Sequence, residues 1–372
     1  MRILFLIYSL DGGGAERVTA RLANQMAAEG HAVTIAVMVD RCVPAYPLAD
    51  AVELIATGMA SRSRTPVAGF VGLISRMRAV RRLLREQRAD LAIGMMSTAA
   101  ALLGLAGRTQ GTVRIGAERI YPPFDTISPI WKLLRRCGYS LLDGMVVQTE
   151  AARLWVASNT RARRIAVIPN PLDTPPSAPG SPPFGQATAA IPRDARLVLG
   201  VGRLDRQKGF EDLIAAFAAA GAQRPQWHLA IIGKGPLAPA LRQQADGTPV
   251  ADRIHFPGFS DAADGWYRRA DIFVLSSRFE GSPNALLEAM ALGLACIAYD
   301  CPAGPSEIIE DGANGMLVEA GNVARLADQL AGLMDDEAAR AALGRAARAI
   351  TERHAVDRIA RQWLDFAAEL GA

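Results

Sequence analysis

Short apolar runs alternate with longer stretches in which apolar residues recur every three or four positions, from one end of the chain to the other. Brief β-branched runs bounded by turn residues read as strands, and the longer repeats read as helices. In the first half this pattern predicts strands at Ile3–Leu10, Val33–Val39, Leu91–Gly94, Arg114–Ala117, Gly144–Gln148 and Ile165–Ile168. In the second half it predicts Leu197–Gly202, His228–Ile232, Ile254–Phe256, Ile272–Ser276 and Cys296–Tyr299. Strands separated by helical stretches need crossover connections, so the expectation is α/β: two doubly wound, Rossmann-like domains with parallel sheets.

Between the halves, residues 171–192 carry Pro171, Pro175, Pro176, Pro179, Pro182, Pro183 and Pro192, which exclude a long helix or a central strand. The expected division is a first domain at 1–170, a linker at 171–192 and a second domain at 193–356. An amphipathic helix at about 357–372 is expected to return to the first domain. Two such domains facing each other across a cleft would bring both sets of strand-end loops to one ligand.

A length of 372 residues with half of them apolar supports two full cores. The first apolar run leads into Asp11 and three glycines rather than a small-residue cleavage site, so it reads as a strand and not a signal peptide. The uncharged stretch Leu91–Gly107 contains Ser97 and Thr98 and falls short of a bilayer span. Cys42, Cys137, Cys296 and Cys301 follow no zinc or disulfide spacing, which points to a reducing cytoplasm. No Asp-x-Asp occurs and the four histidines are scattered, so no metal site is expected.

Charge is divided unequally. Residues 1–172 hold 22 Lys and Arg against 12 Asp and Glu, a net of +10, and the remainder holds 19 against 25, a net of −6. Arg76, Arg78, Arg81, Arg82, Arg85 and Arg88 interleave with Leu73, Ile74, Met77, Val80, Leu83 and Leu84 at helical spacing. Such a helix suits an anionic membrane surface, and equally a solvated face on an ordinary helix. The run Trp131, Lys132, Arg135, Arg136 adds to the membrane reading.

The most informative segment is Asp271–Gly293. A buried strand passes through a loop bearing Glu280 into a helix bearing Glu288, with Ser282 expected as cap and Pro283 in the first turn. First-turn N–H groups at Asn284, Ala285 and Leu286 would then form an anion site. Carboxylates beside an anion site suit a ligand that also carries hydroxyls, such as a nucleotide sugar. Gly200–Gly209, GVGRLDRQKG, leaves another strand and offers Arg203 and Lys208 to a diphosphate. With only three lysines among 41 cations, Lys208 and Lys234 both fall in glycine turns.

Asp11–Gly14 opens a helix after the first strand, so its backbone can approach a ligand closely. It lacks the dinucleotide spacing, and Asp40 is the nearest acid for a ribose, which disfavours a nicotinamide dehydrogenase. The loops Gly233–Gly235, PGFSDAAD from Pro257 and CPAGPS from Cys301 follow further strands, where they serve either as a base pocket and cleft wall or as plain turns.

Together GGGAER, GVGRLDRQKG, IIGKGP, EGSPNALLEAMALG and EIIEDGANGMLV resemble the retaining glycosyltransferases of family 4, with the two-domain GT-B fold. The resemblance covers nearly the whole chain and is strongest from Leu197 to Val318. It implies that Arg203 and Lys208 bind a donor diphosphate, that Glu280 lies near the transferred sugar, and that Glu288 holds the ribose. It further implies that Gly13 and Gly14 lie beside the phosphates or the acceptor, and that Ser260 lies near the base. The family commonly places a first-domain histidine on the reacting sugar. No histidine occurs here between His31 and His228, and AERIYPP offers Glu118 and Arg119 instead, making Arg119 the candidate.

The implied chemistry is metal-independent transfer of a hexose or N-acetylhexosamine from a nucleotide diphosphate sugar, UDP-sugar being suggested by CPAGPSEII. The acceptor is expected to be a lipid-linked glycan or an oligosaccharide in surface polysaccharide biosynthesis, at the anionic inner face of the cytoplasmic membrane. No nucleic acid and no cofactor is expected. The alternatives are a nucleotide-sugar epimerase of the same fold and a non-catalytic membrane-surface module.

Overall fold

The computed structural model describes residues 1–60, 66–125, 127–172, 191–259 and 263–372, with backbone alone at 66–69 and 263. Most of the proline-rich stretch and Ser260 lie outside the described residues. The chain divides into two compact units, Met1–Asp173 with His354–Ala372, and Thr174–Arg353.

The first unit is a seven-stranded parallel sheet of β1 (Arg2–Ile7), β2 (Ala32–Val37), β3 (Val52–Ala56), β4 (Leu91–Met95), β5 (Val113–Ala117), β6 (Gly144–Val147) and β7 (Ile165–Val167). The order is β3-β2-β1-β4-β5-β6-β7, so the winding reverses between β1 and β4. β1 ends at Ile7, earlier than its apolar run, because Met38 N–H already caps the ladder at the Ile7 and Tyr8 carbonyls. β3 was not anticipated: VELIA is a partly exposed edge strand without a continuous apolar run.

One face of this sheet, with Ile3, Phe5, Val33 and Ile35, packs against the helix Gly14–Ala28 and against Ile359, Trp363 and Phe366 of the C-terminal helix Val356–Glu369. The other face, with Leu4, Leu6 and Ala92, packs under the helices Pro66–Glu86, Met96–Leu105 and Pro129–Leu141. No helix among the described residues is long and apolar enough to cross a membrane.

The second unit is a six-stranded parallel sheet of β8 (Arg196–Val201), β9 (Trp227–Ile232), β10 (Ile254–Gly258), β11 (Ile272–Leu275), β12 (Ala295–Asp300) and β13 (Met316–Glu319). Its order, β10-β9-β8-β11-β12-β13, reverses between β8 and β11. These two strands pair at Ile272 with Val198 and Phe273 with Leu199. β13, MLVE, is a second edge strand too short and too exposed for its pattern to stand out. Both units are therefore doubly wound and α/β, and in each the carboxyl ends of the two strands flanking the reversal form the natural ligand crevice.

Candidate functional site

In the second unit that crevice is built by the two segments that carried the strongest sequence signal. The loop leaving β8 and the loop leaving β11 are laced together by several bonds, among them Arg278 Nη1 donating to the Arg206 carbonyl at 2.8 Å. Arg278 N–H donates to the Gln207 carbonyl at 2.8 Å, and Ser276 Oγ donates to the Lys208 carbonyl at 2.9 Å. Gln207 Nε2 donates to the Phe279 carbonyl at 3.0 Å, and Lys208 Nζ donates to Glu280 Oε1 at 2.6 Å. Gly209 permits this closeness: at φ 59, any Cβ would lie 2.2 Å from the Ser276 carbonyl oxygen.

Both expected phosphate-binding cations are already paired with carboxylates. Lys208 and Glu280 are largely buried, with side-chain exposures of 18% and 7%, and the lysine stem lies over Gly202. Arg203 is exposed at 68% of its side chain and meets Asp205, which also accepts from Gln207 N–H at 3.0 Å. An exposed pair between residues two apart is weak, below about 1 kcal/mol, so a diphosphate can displace Asp205. The ammonium of Lys208 spends one of its three protons on Glu280, which aims it without exhausting it.

The helix after Glu280 begins one residue later than its sequence suggests. Pro283, at ψ 94, is the cap in place of Ser282, and the helix runs Asn284–Ala291. The Leu286 N–H therefore belongs to the Pro283 carbonyl, at 3.0 Å, and not to a ligand. Asn284 and Ala285 keep their place in the first turn, beside the Glu280 loop. Glu288, one turn in, accepts from the phenol of Tyr267 at 3.2 Å. Tyr267, fully buried, is a site residue the sequence did not announce, since it arrives from the separate helix Ala263–Arg269.

The loop after β12 closes one side of Glu280. A Cβ on Gly304 would sit 3.1 Å from Pro283 Cδ and 3.4 Å from Glu280 Cβ. Burial, then the Glu280 charge, pushes the Cys301 thiol up to about 12, so it stays protonated. The loops after β9 and β10 meet where Lys234 Nζ lies 4.9 Å from the centre of the Phe259 ring, which is exposed.

In the first unit, Gly13 caps the helix Gly14–Ala28, and the Glu16 carboxylate folds over it: a Cβ on Gly13 would meet Glu16 Oε2 at 2.4 Å. Burial raises the Glu16 pKa against the pull of its own backbone N–H, with nearby Asp11 adding to the rise. Gly13 thus faces an acid, which suits hydroxyls better than phosphates.

Beyond β5, Glu118 and Arg119 enter separate polar clusters. Tyr139 Oη donates to Glu118 Oε2 at 2.5 Å, Ser97 Oγ donates to Asp125 Oδ2 at 2.5 Å, and Arg135 Nη1 reaches the same Asp125 oxygen at 3.4 Å. Burial pushes Glu118 up to about 7. Arg135 is correspondingly no surface cation, being buried with its guanidinium 4.8 Å from the Trp155 ring centre, whereas Lys132 and Arg136 remain exposed. Arg119 bonds to Asn170 Oδ1, and burial lowers its pKa to about 9.

On the basic helix Pro66–Glu86, Val80, Leu83 and Leu84 are buried, while Phe70, Val71, Arg78, Arg81, Arg82 and Arg85 are exposed. Arg88 lies beyond that helix, at φ 46.

Residues 186–350 match the family described as glycosyl transferases group 1, and residues 12–175 match Glycosyltransferase Family 4. The Exopolysaccharide phosphotransferase SCO2592 of Streptomyces coelicolor is 35% identical over 232 residues, 62% of this chain and 24% of that protein, so the chain spans about a quarter of its length. A Campylobacter jejuni protein is 25% identical over 377 residues, 100% of this chain and 99% of its own. It is named GalNAc-alpha-(1->4)-GalNAc-alpha-(1->3)-diNAcBac-PP-undecaprenol alpha-1,4-N-acetyl-D-galactosaminyltransferase. The crystal structure of Anabaena Alr3699/HepE in complex with UDP superimposes with a TM-score of 0.78 at 19% identity, covering 99% of this chain and 100% of that one, a likeness of fold.

Proposed function

Because the chain belongs to the group 1 and family 4 glycosyltransferases, we propose that it moves a hexose or N-acetylhexosamine from a UDP-sugar to a lipid-linked glycan, with retention and without a divalent metal. The observation that carries this reading is the meeting of Lys208 and Glu280 at the reversal between β8 and β11, with Arg203 exposed beside them. The barrier to transfer lies in breaking the anomeric C–O bond, which leaves positive character on the sugar and negative charge on the diphosphate. Arg203 and Lys208 neutralise that diphosphate as it departs. Glu280, fixed by Lys208, lies where a sugar hydroxyl or the cationic anomeric carbon would be held. Glu288 takes the ribose hydroxyls.

For retention, the acceptor hydroxyl attacks from the face the diphosphate leaves. A bond forms between its oxygen and the anomeric carbon, and its proton passes to the departing phosphate oxygen. The acids around Gly13 favour the acceptor side for that loop, since hydroxyls donate to Asp11 and Glu16 whereas phosphates would be repelled. UDP is the first donor base to test because the Anabaena neighbour is described in complex with UDP. A lipid diphosphate acceptor is suggested by the PP-undecaprenol in the Campylobacter relative's name. Exposed Arg78, Arg81, Arg82 and Arg85, with apolar Phe70 and Val71 on the same helix, suit peripheral attachment to the anionic inner face of the cytoplasmic membrane.

The test is thermal stability against a panel of nucleoside diphosphates and nucleotide sugars, with Lys208→Ala and Glu288→Ala alongside. A shift with UDP or a UDP-sugar that both variants lose supports the donor site. No shift with any nucleotide sinks it.

A further inference from the structure

Arg119 is a buried cation that no anion among the described residues answers. It stands two residues beyond β5, while Gln148 follows β6 directly and Asn170 lies three residues beyond β7. These three strand ends are neighbours in the first sheet, and the three residues are 8%, 7% and 2% exposed. Arg119 Nη2 donates to Asn170 Oδ1, an oxygen that also accepts from Gln148 Nε2 at 2.7 Å. Nε and Nη1 of Arg119 have no partner among the described residues.

The side chain this guanidinium meets among the described residues is a neutral amide, itself held by a second. Glu118, its neighbour in sequence, turns to Tyr139 and lies within electrostatic reach of Arg135 and Asp125. Burial accounts for the lowered Arg119 pKa, and no carboxylate among the described residues pulls it back up. An arginine keeps its charge at neutral pH, and desolvating it without a counter-ion is unfavourable. Such a group persists where something anionic completes it, and perturbed, uncompensated charges concentrate at functional sites. The carboxyl edge of a doubly wound sheet is also where ligands dock.

We propose that Arg119, positioned by Asn170 and Gln148, is an oxyanion-binding residue that donates from Nε and Nη1 to a phosphate-type group of the ligand. Whether that group is the donor's diphosphate or a phosphate carried by the acceptor rests on the transfer reading, and the oxyanion site itself does not.

The experiment is thermal stability of the full chain with inorganic pyrophosphate and, separately, with UDP, in wild type, Arg119→Gln and Arg119→Lys. Pyrophosphate is expected to raise the melting temperature of wild type, with an apparent affinity at least tenfold weaker in Arg119→Gln and less impaired in Arg119→Lys. The unliganded melting temperature of Arg119→Gln is expected to equal or exceed that of wild type, because an uncompensated buried charge has been removed. A UDP shift weakened by Arg119→Gln assigns the donor's diphosphate. An intact UDP shift, with a further pyrophosphate shift at saturating UDP that Arg119→Gln loses, assigns the acceptor.

Should Arg119→Gln fail to fold, an Arg119→Lys protein with no pyrophosphate shift weakening decides against the proposal, and a weakened one decides for it. A pyrophosphate shift that is absent from wild type, or that Arg119→Gln leaves unchanged, overturns it. Failure of the transfer reading shows differently, as a missing UDP shift in wild type.

Discussion

Lys208 and Glu280, 72 positions apart, form a 2.6 Å ion pair that ties the loop after β8 to the loop after β11. Glu280 is the more deeply buried partner. Removing Lys208 strands a carboxylate that has lost its water, so Lys208→Met is expected to lower stability by about 2 to 3 kcal/mol. Glu280→Gln keeps the shape and an acceptor oxygen but loses the charge. It is expected to cost much less stability and to reduce kcat at least ~100-fold, the scale of losing a preorganised electrostatic contact. Lys208→Met combined with Glu280→Gln should recover most of the stability and none of the turnover. Urea titration and initial rates check both; a double variant as unstable as Lys208→Met would show that the pair is not what holds the loops.

The phenol of Tyr267 reaches Glu288 at 3.2 Å from a different helix. If Glu288 grips the ribose, Tyr267 sets the direction of its carboxylate. Tyr267→Phe removes the hydrogen bond to Glu288 while preserving the packing, an effect of roughly 0.5–1.5 kcal/mol. The donor KM is expected to rise about threefold to tenfold with kcat nearly constant, because the ribose does not change during transfer. Glu288→Ala should raise the same KM further. A fall in kcat at unchanged KM would relocate Tyr267 and Glu288 to the reacting sugar.

Gly209 combines a left-handed backbone, φ 59, with a carbonyl 2.2 Å from where a methyl would go. Gly209→Ala should therefore destabilise by roughly 2 to 4 kcal/mol and weaken donor binding, since Lys208 is the preceding residue. Gly247→Ala is the control: its nearest neighbour would be 3.5 Å away, and it sits at a helix end with φ −81. Melting curves of the two variants make the comparison. Equal stability would mean that the β8 loop can shift away from Ser276 at little cost.

Most strands were legible because they are largely apolar runs, as in β4, β9 and β11, where every residue is buried. β3 and β13 were not, because VELIA and MLVE are short, partly exposed and each broken or ended by a glutamate. The same limit applied to the site. The Glu280 and Lys208 loops could be read in advance because each follows a buried strand and combines glycine with charge. Tyr267 and Asn170 could not be, since tertiary packing alone brings them to Glu288 and Arg119. Arg135 looked like a surface cation because helical periodicity does not say which basic residue of a mixed run turns inward onto Trp155. The start of the helix at Asn284 was displaced because Pro283 adopts an extended ψ of 94 and serves as the cap.

Glu118 gives the first unit a definite pH signature. Its folded-state pKa is raised from 4.5 to about 7 by burial, against the favourable phenol of Tyr139. A carboxyl with a raised pKa binds its proton more tightly folded than unfolded, so folding is favoured below pH 4.5 and that advantage is lost as pH climbs to about 7. The full effect is about 3 kcal/mol. His255 works in the opposite sense: burial, and then its partner His228 at 2.9 Å, lowers it to about 4, so its contribution is present above pH 6.5 and lost as pH falls towards 4. The two overlap in a wild-type melting profile, which is why Glu118→Gln is the informative variant. Its neutral amide has no proton to lose, so the difference in melting temperature between Glu118→Gln and wild type should grow in the variant's favour from pH 5 to pH 8. A difference that stays flat over that range would mean that Glu118 is already ionised at pH 5, held so by Arg135.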